Sequence, residues 1–221
     1  MAIATWQDLC IDALDAERLG HFWAAALGLT FKAHEDGDAQ LDGPTPEHRV
    51  WINTVPEPVT VKQRVHLDVH AGSVEEILAL GATPDDVDSF RWKILRDPDG
   101  GELCVFVRDE VPDYKLYEIG IDAVDPKPVA RWWADVLGAT YGEHEEEAWA
   151  WVEDIPGAPF ECLTFAAVPE PKNVKNRIHW DVQTDDVQLL VDAGATILDE
   201  QPRWTVMADP EGNEFCAFVR G

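Results

Sequence analysis

The chain has 221 residues and a formal charge of −26, from 43 acidic and 17 basic side chains. That balance opposes binding to phosphate backbones or anionic lipid, and no run approaches the roughly 20 apolar residues that span a bilayer. The opening MAIATWQDLC has neither a basic segment nor an apolar run, so the expectation is a cytoplasmic protein without a secretory leader and without nucleic-acid or membrane partners.

In chain order, Asp8–Leu14 alternates as a strand, with Leu9, Ile11 and Ala13 on one face and Asp8, Cys10 and Asp12 on the other. Asp15 reads as the N-cap of a helix whose apolar stripe is Leu19, Phe22, Trp23, Ala26 and Leu27, closed by Gly28. Short strands follow near Phe31–His34 and Gln40–Leu41, then a longer one at Arg49–Val55. Arg64–His70 opens a second unit, with His66, Asp68 and His70 on one face. A helix at Val74–Leu80 ends at Gly81. Strand Arg91–Leu95 then turns through DPDG into Glu102–Val107, where Glu102, Cys104 and Phe106 share a face.

After a linker at Asp109–Tyr114 the pattern returns. A third unit runs from Leu116 to about Val168, with helix Pro128–Leu137 closed by Gly138. A fourth runs from Arg177 to Val219, with helix Val187–Asp192 and a DPEG hairpin. VPEPVTVKQRVHLDV at Val55–Val69 recurs as VPEPKNVKNRIHWDV at Val168–Val182, with ten of fifteen positions identical. Arg91–Arg108 likewise matches Arg203–Arg220. The chain is one domain written twice, over 1–110 and 115–221, and holds four βαβββ-like units. Cys104 and Cys216 correspond between the copies and read as small buried hydrophobes of a reducing compartment.

The IDALDAERLGHFWAAALGL opening, the VPEPxxVKxRxHxDV joint and the DPDG/DPEG-x-E hairpin resemble the vicinal oxygen chelate superfamily of glyoxalase, bleomycin-resistance and extradiol dioxygenase proteins. The resemblance implies an α+β fold of two tandem glyoxalase-like domains. In each, paired βαβββ units would curl a mixed sheet around a cleft. It also implies a divalent ion (Mn, Ni, Zn, Fe or Mg) held by cleft residues. Carried over by position, these are Asp8, His48, His66 and Glu102 in the first domain, and Glu118, Glu161, His179 and Glu214 in the second, with Glu102 and Glu214 also serving as catalytic bases. Asp8 and Glu118 depart from the His or Gln usual there.

Asp8, His66 and Glu102, and likewise Glu118, His179 and Glu214, fall one histidine short of the two-His, one-carboxylate set of a dioxygenase. Three carboxylates with one histidine make the second set a hard site, suited to Mn or Mg. The alternative is that these groups pair with Arg64, Arg91, Arg177 or Arg203 and bind nothing. Trp23 and Trp133 read as core. Trp51, Trp92 and Trp204 are candidates for stacking on a planar ligand, and Trp149 and Trp151 also fall near the expected cleft. Two functions follow from the resemblance. One is a metal-dependent lyase or isomerase acting on a small oxygenated or thiol-conjugated molecule. The other is a non-catalytic binder of a drug or metabolite. Either would be a monomeric pseudo-dimer or a homodimer.

Overall fold

A computed structural model describes residues 2–221. The first unit comprises β1 (Ala4–Ala13), α1 (Ala16–Leu27), β2 (Thr30–Ala33), β3 (Ala39–Asp42) and β4 (Val50–Thr54). The second comprises β5 (Val65–Ala71), α2 (Val74–Ala79), β6 (Thr83–Asp86), β7 (Lys93–Arg96) and β8 (Glu102–Val107). The third holds β9 (Leu116–Ala123), α3 (Pro126–Leu137), β10 (Thr140–Glu143), β11 (Trp149–Glu153) and β12 (Cys162–Ala167). The fourth holds β13 (Ile178–Thr184), α4 (Val187–Asp192), β14 (Thr196–Glu200), β15 (Thr205–Ala208) and β16 (Glu214–Val219). No described helix is long and apolar enough to cross a membrane.

Local chemistry sets the element ends. Asp15 accepts the Arg18 N–H at 3.0 Å and starts α1. Gly28 ends it at φ 75°, a left-handed conformation that glycine adopts without a Cβ penalty. Helix α3 begins two residues earlier than its periodicity suggests. Pro126 and Pro128 both lie in the first turn, where a missing N–H breaks no intrahelical bond. Strands β6 and β14 are not foreshadowed by alternation. Both are mostly exposed edge strands, TPDD and TILDE, where acidic residues and Pro84 guard an open ladder.

The strands form two mixed eight-stranded sheets, ordered β14-β15-β16-β13-β1-β4-β3-β2 and β10-β11-β12-β9-β5-β8-β7-β6. Each unit pairs with a unit of the other sequence copy. The first joins the fourth through antiparallel β1 and β13, and the second joins the third through antiparallel β5 and β9. Neither sheet therefore belongs to one copy alone.

The repeated joint binds the copies together. Lys62 pairs with Asp122 and Lys175 with Asp12, while Arg64 donates to the Glu170 carbonyl and Arg177 to that of Glu57. The motif VKxR is thus repeated for a structural reason. Trp23 and Trp133 are fully buried. The Trp133 ring meets Trp180 and Phe215 edge-on at 4.9 and 5.1 Å, and its Nε1 donates to Asp209 at 3.0 Å.

Candidate active site

The second sheet carries the open cleft. Alternation along β5 turns His66 and Asp68 to its concave face. The register sets His66 opposite Gly120, Asp68 opposite Glu118 on β9, and Asp68 beside Cys104 on β8. A Cβ on Gly120 would stand 2.3 Å from the His66 ring, so only glycine lets that ring lie across the strand. His66 Nε2 is 3.2 Å from Asp68 Oδ1. Donor atoms of His66, Asp68 and Cys104 all lie within 4.8 Å of one another. Asp68 is 4% exposed, and its Oδ1 faces the His66 imidazole.

The electrostatics follow from burial and charge. Burial opposes the imidazolium of His66, but the Asp68 carboxylate outweighs it and holds the pKa well above the usual value. Glu118 Oε2 accepts from Cys162 Sγ at 3.2 Å and from Thr164 at 3.1 Å. Burial, then the charge of Asp68, pushes Glu118 up to about 7. Burial also raises the Cys104 thiol, and it drives Cys162 to about 12. Neither sulfur is an activated nucleophile.

Above this floor the cavity measures about 1030 Å³. One wall is Phe90, Trp92 and Phe106, with Phe90 and Trp92 stacked at 5.0 Å and Trp92 and Phe106 at 5.8 Å. The facing wall is Trp149 and Trp151, 4.9 Å apart on β11. Gly142 makes room for that wall, since a Cβ there would lie 2.2 Å from the Trp151 ring.

The first sheet repeats the plan with larger side chains. Here β1 offers Asp8 and Cys10, β13 offers His179 and Asp181, and β16 offers Cys216. All five are buried. Cys10 stands where the other sheet has Gly120, opposite the histidine, and its thiol lies 3.7 Å from Asp181. Trp51 stands where the other sheet has Thr164, and its Nε1 donates to Asp8 Oδ2 at 3.1 Å. Cys10, His179 and Asp181 also bring donor atoms within 4.8 Å of one another. Burial, helped by the charge of Lys175, holds His179 at about 3, while burial beside Asp8 raises Asp181 well above the usual carboxyl value.

The residues expected from sequence are thereby regrouped. Glu118 and Glu161 line the cleft of His66, while Asp8 joins His179. Glu102 shares a face with Cys104 but lies one pleat away, 3.6 Å from Arg96. Glu214 is held by Lys172 at 2.6 Å and by the Asn176 N–H at 3.0 Å. His48 sits in a 3-10 turn, 2.9 Å from Thr45 and edge-on to Tyr114. Trp92 lines the open cleft, Trp51 covers Asp8, and Trp204 stacks with Phe218 at 6.0 Å under Arg203.

Asp68, Asp181 and the cysteines complete the two clusters although sequence reasoning had not chosen them. The signal was present, because alternation already put Asp68 with His66 and Cys104 with Glu102. What was lacking was the register between β5 and β8.

Paired βαβββ units curled around a donor-bearing cleft define the vicinal oxygen chelate architecture. Residues 8–106 and 118–218 each match the model of the glyoxalase-like domain, and the chain belongs to that family. Among solved structures, glyoxalase I from Zea mays is 16% identical with a TM-score of 0.67, over 98% of this chain and 92% of that one. A candidate dioxygenase from Bacillus subtilis is 12% identical with a TM-score of 0.62, over 99% and 86%. The cppA protein from Streptococcus pneumoniae is 11% identical with a TM-score of 0.53, over 98% and 100%. At these identities the likeness is one of fold. A search of curated proteins returned no match.

Proposed function

We propose that the second cleft is the working site, binding a small planar molecule above a divalent ion in a metal-dependent lyase or isomerase. The observation that carries this reading is the clustering of His66, Asp68 and Cys104, with donor atoms within 4.8 Å of one another, at the floor of an aromatic-walled cavity. A nitrogen, oxygen and sulfur set favours Zn, Ni or Fe over Mg or Mn, which prefer oxygen alone. This reading departs from the hard-ion expectation, because Glu118 and Glu161 line the cleft of His66 and not that of His179. When bound, such an ion polarises a substrate oxygen.

The chain's own residues would do the rest. Trp92, Trp149 and Trp151 orient the ring and exclude water. Glu118, at the floor with Thr164 and Cys162 on one oxygen, is placed to take up and return a proton. Metal analysis of protein purified without a histidine tag tests the reading. The expected result is at least one equivalent of transition metal, lost in His66→Ala and Cys104→Ala and kept in Glu102→Gln. The aromatic walls also support the second reading, a non-catalytic binder. Stoichiometric ligand binding with no metal in the protein would select it.

A further inference from the structure

The two clefts differ in where they keep positive charge. In the first, Arg49 lies 5.5 Å over the Trp51 ring and bonds Asp42 at 3.0 Å. Arg203 lies 5.6 Å over Trp204. Trp51 and Trp204 therefore each carry a guanidinium from the protein itself, held by the negative face of the ring. In the second cleft the residue in the place of Arg49 is Cys162. Arg91, the counterpart of Arg203, lies over no ring among the described residues, and no arginine covers Trp92, Trp149 or Trp151, although the His144 ring stacks on Trp149 at 5.6 Å. Arg108 does lie over Phe106 and Tyr117, at 5.5 and 5.4 Å, but it is not part of the cavity lining.

The same cavity is lined by Asp68, Glu118, Asp122, Glu147, Glu153 and Glu161, with Lys62 the one lysine or arginine among its lining residues and already paired with Asp122. An ion at the floor would offset Asp68, leaving Glu147, Glu153 and Glu161 on the walls. Trp149, Trp151 and Glu153 share one face of β11 by alternation, and Glu161 precedes the neighbouring strand. Aromatic faces and carboxylates both attract a desolvated cation and both oppose an anion.

We propose that the second cleft recognises a planar molecule bearing a positive charge, a protonated or quaternary amine. The charge lodges between the Trp149–Trp151 wall and the carboxylates of Glu153 and Glu161. The ligand supplies from outside the cation that arginines supply in the first cleft. This rests on the second cleft being the ligand site. It narrows that reading, because a substrate whose recognition depends on carboxylates would be repelled.

Calorimetric titration with N-methylquinolinium, quinoline and quinoline-8-sulfonate tests it, since the three share one ring system and differ in charge. The cation should bind about tenfold or more tightly than quinoline, the sulfonate should not bind, and added salt should narrow the gap. Glu153→Gln and Glu161→Gln should weaken the cation several-fold without changing quinoline. Both positions are exposed, so the fold is kept. Trp149→Ala should weaken both ligands, and Glu75→Gln, on the exposed side of α2, should affect neither.

Equal binding of cation and quinoline, or preference for the sulfonate, would overturn the inference and leave the cleft reading standing. Cation binding that falls equally in Glu75→Gln would reduce it to adsorption on an acidic surface and overturn it too. If none of the three binds, the cleft itself is not the ligand site, and both proposals fall together.

Discussion

The two clefts are built from one repeated sequence on one backbone plan, yet the floor of one is buried throughout and the other opens into a cavity. The difference comes down to a few positions. Cys10 faces His179 where Gly120 faces His66, and Trp51 occupies the strand position of Thr164. A missing side chain lets one imidazole lie across the strand, and a small hydroxyl leaves the space above Glu118 free. The lesson is that the scaffold supplies two floors, and the residues beneath the histidine and beside the acid decide whether a floor becomes a site. Fold and function are separable in this way because close packing makes single side-chain volumes count.

The sharpest way to break the comparison is Gly120→Ala. Its new Cβ would meet the His66 ring at 2.3 Å, so the imidazole would have to turn away from the strand. Overpacking of this kind costs about 1–3 kcal/mol. Metal or ring-ligand affinity at the second cleft should also fall more than tenfold, read by calorimetry alongside urea unfolding. Wild-type affinity in this variant would mean that the glycine does not set the difference.

The converse change, Trp51→Thr, should begin to open the first cleft. The indole is only part-buried, so the expected loss is about 2 kcal/mol, below the range for a fully buried tryptophan. Asp8 also loses its indole donor. A second equivalent of the quinoline probe should then bind. A variant destabilised as expected but still taking one equivalent would show that Cys10 alone keeps the first cleft shut.

The histidines sharpen the contrast through pH. In metal-free protein His179, held at about 3, should stay neutral through the physiological range, while His66 should remain protonated above its ordinary value. For His179 the folded pKa lies below the unfolded one. Its contribution is present above about 6.5 and is lost as pH falls toward 3, because the unfolded chain binds the proton first. His66 has the opposite sign, contributing at low pH and losing that contribution as pH rises through its raised value. Proton shifts of the two imidazoles would measure this, and a shared midpoint near the ordinary value would count against any electrostatic difference between the clefts.

The smallest difference between the copies is expected where they are alike. Lys62→Met and Lys175→Met each remove one of two mirrored pairs whose lysines are more than half exposed. Because Asp122 and Asp12 are buried and would be left without their cation, each should cost about 1–3 kcal/mol, and by similar amounts. Strongly unequal losses in thermal unfolding would show that the joint, like the clefts, has diverged.

Much of this was readable from the chain by itself. The duplication, the helix caps at Asp15 and Gly28, the buried Trp23 and Trp133, and the faces carrying His66 with Asp68 and Glu102 with Cys104 are local matters. They follow from periodicity, capping and repetition, each acting over a few residues. The tertiary structure alone decided which unit pairs with which, because strands as far apart in the chain as β1 and β13 leave no local trace of their pairing. That pairing parted Asp8 from His66 and gave Glu118 to the His66 cleft. Register decided the rest. A shift of two residues along a strand keeps the face but changes the neighbour, so Cys104 and not Glu102 stands beside Asp68. The openness of a cleft is likewise a property of packing, set by the volume at Gly120 and Thr164 once their strands have been brought together.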